Sequence, residues 1–331
     1  MRKPALFLLC LALCCCNSKR PGATSQADGK SGSAPAVAQP PAGGGKILGN
    51  DNPPSLFPVR IDGMYGYIDK KGKLVLKAQF AGGSRFSEGL AAVQMRKAER
   101  VGFIDETGNL VIPLQFDLAD PFSEGFAAVM KNRKWGFIDR TGQLVIPMTF
   151  DSALRFSEGA AVIGKAMSTA AAYSFINRKG ESLLDPKDQF DIASSFGEGL
   201  AAVRSFGQML RYIDQSGKTV IAPQFMAAGE FGDGLAPVQI HANDGMRWGY
   251  IGRNGKLVIT AHFFNAYPFK EGLAAVQVTN SKWGFINNKG SMVIQPKFDS
   301  AGSFSNGMAQ VFVGDAFGYI DPTGKFVWEP K

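Results

Sequence analysis

Between residues 55 and 331 the apolar positions fall in short runs that follow neither strict alternation nor a helical period. Trp135-Gly136-Phe137-Ile138-Asp139 leads into a polar turn ending at Gly142, then into Leu144-Val145-Ile146-Pro147. The same order occurs eight times at a spacing of 34–38 residues, marked by Ile68, Ile104, Ile138, Ile176, Ile213, Ile251, Ile286 and Ile320. A period in this range signals a propeller, a solenoid or another array. Two apolar runs around Asp-x-x-Gly predict a hairpin, since Asp bonds forward to the backbone and Gly supplies the positive φ. These runs are strands A and B. A third, C, reads Gly-Leu-Ala-Ala-Val, as at Gly89–Val93, Gly199–Val203 and Gly272–Val276. Between B and C runs Phe-x-x-Ala-x-x-Phe, as at Phe150, Ala153 and Phe156. A spacing of three is not a strand's, so an irregular connection pinned by two buried Phe is expected there.

Consecutive apolar residues in a strand point to opposite faces, so both faces of each small sheet must be covered. A three-stranded sheet achieves this only by packing against a neighbour on each side, and each copy then supplies half the core of the next. Phe57–Asp69 matches a C strand feeding an A strand, and Lys325–Lys331 completes the last B strand, which frames eight C-A-B units. The first unit (Leu56, Val59, Tyr67, Leu74) and the last (Phe317, Tyr319, Phe326, Trp328) are as apolar as the interior ones. The expectation is therefore an all-β, propeller-like toroid of eight three-stranded units, with an open β-solenoid as the alternative.

The stretch Lys-Trp-Gly-Phe-Ile stands at Lys134–Ile138 and again at Lys282–Ile286. On these residues the chain resembles the WG, or KWG, repeat family of bacterial β-repeat proteins over about residues 55–331. The resemblance implies the repeat type, and it carries no shared catalytic residues. Copies four and five depart from it, with Ser174 and Arg211 in place of the Gly; close approach of another backbone is not expected there.

The amino-terminal composition changes the picture. Arg2 and Lys3 precede an apolar core at Ala5–Leu13 that is too short to span a bilayer. All four cysteines, Cys10, Cys14, Cys15 and Cys16, lie within this segment. The run resembles a bacterial lipoprotein signal, with Leu13 three residues before Cys16. Residues 1–16 read as a signal peptide ending at the candidate lipidated Cys16, with Cys14 as the alternative; an ordinary secretory signal is the plainer reading. Residues 17–54 are rich in Gly, Ser, Ala and Pro and read as a disordered tether. Its span is roughly 30–35 Å. The expected location is the cell envelope, lipid-anchored at an outer membrane or cell surface. Beyond Cys16 no disulfide, thiolate metal site or thiol nucleophile is available.

The chain carries a net charge of +8, which favours anionic neighbours without naming one. The loops joining C to A concentrate it. They hold Arg96, Lys97 and Arg100, then Lys131, Arg133 and Lys134, then Lys165, Arg204, Arg211, Arg247 and Lys282. With Arg60 these outnumber Asp62, Glu99, Asp244 and Asp315 by twelve to four. On either architecture the tips share one edge, a candidate binding rim for lipid headgroups or an acidic glycan; nucleic acid is not expected for an exported protein. The Asp after Ile reads as turn capping, and Glu88, Glu124, Glu158, Glu198, Asp233 and Glu271 read as turn chemistry. His241 and His262 are the only histidines, and no phosphate loop, nucleophile elbow or zinc spacing is present. No cofactor or metal is expected. The functional expectation is a non-catalytic binding or scaffold module, with a glycan-active enzyme or a passive spacer, or a protein partner for the rim, as alternatives.

Overall fold

A computed structural model describes residues 56–96, 98–167, 171–278 and 281–330. The expected signal peptide, Cys14, Cys16, the 17–54 tether and Lys97 lie outside the described residues.

The third copy shows how the repeat folds. A two-residue inner strand, Leu118–Ala119, is followed by strand C, Phe126–Lys131, strand A, Lys134–Asp139, and strand B, Leu144–Phe150. They pair antiparallel in the order B-A-C-inner. The C–A hairpin closes on Asn132 and Arg133, at φ 53° and 64°, the two left-handed residues of the tightest hairpin turn. At the A–B turn Asp139 Oδ1 accepts from the amides of Thr141 and Gln143 at 2.9 and 3.0 Å.

The Trp-Gly glycine has a steric cause. Trp135 pairs with Phe150 but Phe137 pairs with Ile146, so strand B bulges between these pairs. The bulge folds over Gly136, where a Cβ would stand 2.6 Å from the Ile146 carbonyl oxygen. Copy five keeps this register shift with Arg211 in the slot, between Leu210↔Phe225 and Tyr212↔Ile221. Copy four, with Ser174, has no regular B strand and makes the isolated bridges Tyr173↔Phe190 and Ile176↔Ser182.

Two expectations are corrected. The connection between B and C is not wholly irregular, because Phe-x-x-Ala-x-x-Phe contains the inner strand. Its small Ala lets a further strand lie along C where the ring is narrowest. The eight copies are also not eight separate three-stranded sheets. They lie on seven sheets, five of them four-stranded. The first is six-stranded and holds copies one and two, because the Leu74–Gly83 strand runs from the B position of one into the inner position of the next.

One aromatic contact links the copies. The A-strand aromatic of each packs against the second Phe of the following connection, as Phe137 on Phe156 at 4.9 Å and Tyr250 on Phe269 at 4.8 Å between ring centroids. Such pairs contribute about 0.5–1.5 kcal/mol each beyond area burial. The last copy contacts the first through a strand-C residue in place of the second Phe, Tyr319 on Phe57 at 5.4 Å. The Tyr319 hydroxyl donates to the Pro58 carbonyl at 2.9 Å, as Tyr67, Tyr212 and Tyr250 donate to Ser84, Gly229 and Tyr267. Phe57, Val59 and Ile68 share a core with Met308 and Tyr319. The ring is closed, and the open solenoid is excluded because the two apolar end faces bury each other.

Candidate functional site

The ring has two edges of different chemistry. The C–A hairpins and the bends after the first Phe of each connection form one; the A–B turns and the turns after the second Phe form the other.

On the hairpin edge most of the candidate cations are already engaged. Lys134 pairs with Asp151 and Lys282 with Asp299, both at 2.6 Å, and Arg100 pairs with Asp117. In each case the carboxylate lies seventeen residues beyond the cation, in the next copy. Its second oxygen accepts an amide of its own hairpin, from Asn132, Ala166 or Gly314. The Lys of Lys-Trp-Gly is thus a clip between copies. Hydrogen bonding from Lys134 and from Lys282 holds the Asp151 and Asp299 carboxyls below the usual carboxylate range. At the same spacing Arg247 lies over the Phe264 ring at 4.4 Å, and it also pairs with Asp244. Arg204 grips Asp191 with two nitrogens. Arg211 bonds Ser205 and Gln208 and lies over Phe190, leaving its buried Nε without a partner.

Arg96, Lys131 and Arg133 form no ion pair among the described residues, and neither does Lys165. Sequence reasoning missed Asp117, Asp151, Asp191 and Asp299, which restore much of the charge balance on this edge. Their signal is visible in retrospect: each directly follows the first Phe of its connection.

The turn edge carries a different device. Glu88, Glu124, Glu158, Glu198, Asp233 and Glu271 all adopt φ between 48° and 57°, a strained region for a non-glycine residue. Each carboxylate accepts the amide of the equivalent glycine in the next copy, at 2.7–3.0 Å. These charge-assisted bonds offset the strain and tie the copies in sequence. Among the described residues no group of three or more His, Cys, Asp or Glu is placed to hold a metal. His241 and His262 lie in different places, and the His262 ring bonds the Thr260 carbonyl at 2.8 Å.

Inside this edge, side chains of non-adjacent copies face one another. Glu230 of copy six feels Arg155 of copy four as well as Lys270 of copy seven, which is possible only near the ring axis. With Ser195 they line a cavity of about 240 Å³. Burial pushes the Glu230 carboxyl up, against the pull of Arg155 and Lys270. Burial likewise raises Asp120 to about 6, against Arg155. None of these residues was singled out from sequence. The available signal was the slots flanking the second Phe: the slot before it varies from copy to copy and carries charge at Arg85, Arg155 and Glu230, and the slot after it, otherwise Ser or Gly, carries Lys270.

A closed ring of small antiparallel sheets, each passing its outer strand to the inner strand of the next, defines a β-propeller. Comparisons agree. The WG containing repeat matches at residues 65–97, 102–135, 135–165, 173–205, 211–242, 248–283 and 283–315. The chain belongs to the WG-repeat family. Comparison with curated proteins finds no match. Among solved structures, dihydro-heme d1 dehydrogenase NirN in complex with DHE is similar at 14% identity and a TM-score of 0.51, over 85% of this chain and 75% of that one. A prolyl endopeptidase is similar at 10% identity and a TM-score of 0.51, over 79% of this chain and 51% of that one. At such identities the likeness is one of fold. A WG-repeat propeller is consistent with a binding or scaffold module.

Proposed function

We propose that this chain is a lipid-anchored WG-repeat protein of the bacterial cell envelope. Its ring acts as a non-catalytic binding or scaffold module that docks an anionic partner, a glycan or a lipid headgroup layer, by the hairpin edge. The lipidated residue is Cys16, with Cys14 as the alternative. One observation carries the docking reading: Arg96, Lys131 and Arg133 stand on neighbouring hairpins without ion pairs among the described residues, beside Arg100 and Lys134, which are clipped. Cations left over from the structural pairing are the ones free to meet an external anion.

The test is a triple charge reversal, Arg96→Glu, Lys131→Glu and Arg133→Glu, in the full chain. Retention on an acidic polysaccharide and on anionic lipid vesicles is measured across a salt series. The expected result is weaker retention on one of them with a flatter salt dependence; retention equal to that of the parent sinks the docking reading. Cleavage of the polysaccharide would favour a glycan-active enzyme, and no retention of the parent at physiological salt would favour a passive spacer. Labelling with a radioactive fatty acid should be lost in Cys16→Ser; loss in Cys14→Ser alone would move the anchor.

A further inference from the structure

A side chain present in every copy answers to the ring, whereas a slot that changes from copy to copy is free to answer to something local. The slot after the second Phe is Ser in four copies, Ser87, Ser123, Ser157 and Ser305, and the hydroxyls of the first three donate to the next Phe carbonyl at 2.7 Å. In copies five and six Gly197 and Gly232 replace it, where a Cβ would stand 2.4 and 2.2 Å from the facing Phe carbonyl oxygen. In copy seven the slot holds Lys270. The slot before that Phe is equally irregular, with Arg155, Ser195 and Glu230 in consecutive copies. Arg155, Ser195, Glu230 and Lys270, from these varying slots, line one axial cavity.

The charges there are opposed but do not meet. Glu230 faces Arg155, Lys270, Glu158 and Ser195, and Arg155 also faces Asp120. Yet none of these cations comes within ion-pair distance of a carboxylate among the described residues. The wall carboxylates Glu158, Glu198 and Asp233 are already committed to glycine amides of the next copy. What remains is two exposed cations, Arg155 and Lys270, and the half-buried Glu230 around one cavity, unpaired with one another among the described residues and so available to a ligand that carries both signs. The cavity, at about 240 Å³, exceeds the roughly 30 Å³ share of a water molecule. It falls below the usual range of about 300–1,000 Å³ for larger organic ligands.

We infer that the axial cavity binds a small zwitterion, a free α-amino acid or a short peptide, with its carboxylate on Arg155 and Lys270 and its ammonium on Glu230. A simple anion would meet Glu230 and Glu158, and a simple cation would meet Arg155 and Lys270. Only a ligand carrying both charges a few ångströms apart suits both walls. Placing an ammonium beside Glu230 also favours its ionised form, so binding releases a proton wherever the empty site holds one.

The test is titration calorimetry on the full chain with L-alanyl-L-alanine, its N-acetyl form, its C-terminal amide, and glucose. The dipeptide should bind, and each blocked form should bind at least tenfold more weakly. Arg155→Gln and Glu230→Gln should each lower dipeptide affinity at least tenfold while the thermal midpoint stays near that of the parent. Should either variant fold poorly, the exposed Lys270→Ala supplies the same readout. No dipeptide binding at millimolar concentration, equal binding of the blocked forms, or glucose binding indifferent to Arg155→Gln would each overturn the assignment. The hairpin charge reversals lie on the other edge, so failure of either proposal leaves the other standing.

Discussion

The two edges of the ring use charge in opposite ways. On the hairpin edge a cation and an Asp seventeen residues later lie near solvent and close into a short pair, as Lys134 does with Asp151 at 2.6 Å. At the axis of the turn edge Arg155 faces both Glu230 and Asp120 without closing on either. The first pattern repeats from copy to copy and joins neighbours; the second occurs once and joins nothing. In a repeat protein, recurrence therefore marks the groups that build the ring, and interruption marks those available for other chemistry. The hairpin edge shows why charge counted along a sequence overstates a binding surface, since the partners of its cations sit in the next copy.

The contrast can be broken at several points. The largest effect should come from the recurring aromatic contact. Phe156→Ala empties a site packed against Phe126 and Phe137 and should cost about 3–5 kcal/mol in urea unfolding; a loss below about 1 kcal/mol would mean the copies are held by something else. Asp120→Asn comes next, with the opposite sign. Its raised pKa, about 6 against 3.8 for the free carboxyl, means the folded state keeps a proton that the unfolded chain has released. Stability contributed by this group therefore falls as pH rises from about 4 to about 6 and stays lost above. The Asn variant should gain about 1–3 kcal/mol at pH 7 and nothing below about pH 4. A gain independent of pH would exclude titration of Asp120 as its cause. Tyr319→Phe removes the hydroxyl that bonds Pro58 at ring closure and should cost about 1–2 kcal/mol. If the midpoint does not move, that bond is not holding the ring. The smallest effect belongs to Lys134→Gln, since exposed pairs contribute little. It should lower the thermal midpoint slightly at low salt and not at all in molar salt. Because the partner's pKa is lowered, that contribution is present at neutral pH and lost as pH falls through the folded-state pKa of Asp151.

Much of the fold is legible in the amino-acid sequence. The A–B hairpins, the turn glycines and the buried Phe pairs follow from short-range pattern, because each depends on residues within one copy. The inner strand escaped because two residues such as Leu118–Ala119 are too few to show a period. The merging of the first two copies into one sheet escaped because it depends on how far strand Leu74–Gly83 stays extended. Arg211 in the glycine slot illustrates the same limit: the loss of Gly suggested a looser contact, yet neighbouring strands impose the bulge regardless.

The sequence by itself determined that this is a β repeat whose units share their cores, where each hairpin turns, and that no cysteine chemistry exists beyond Cys16. These are consequences of side-chain size, alternation and backbone freedom, which act locally. Only the tertiary structure decided that the ring closes, which cations are clipped, and that Arg155, Ser195, Glu230 and Lys270 meet around one cavity. Those outcomes depend on distances between copies, and a chain written one residue at a time does not carry such distances.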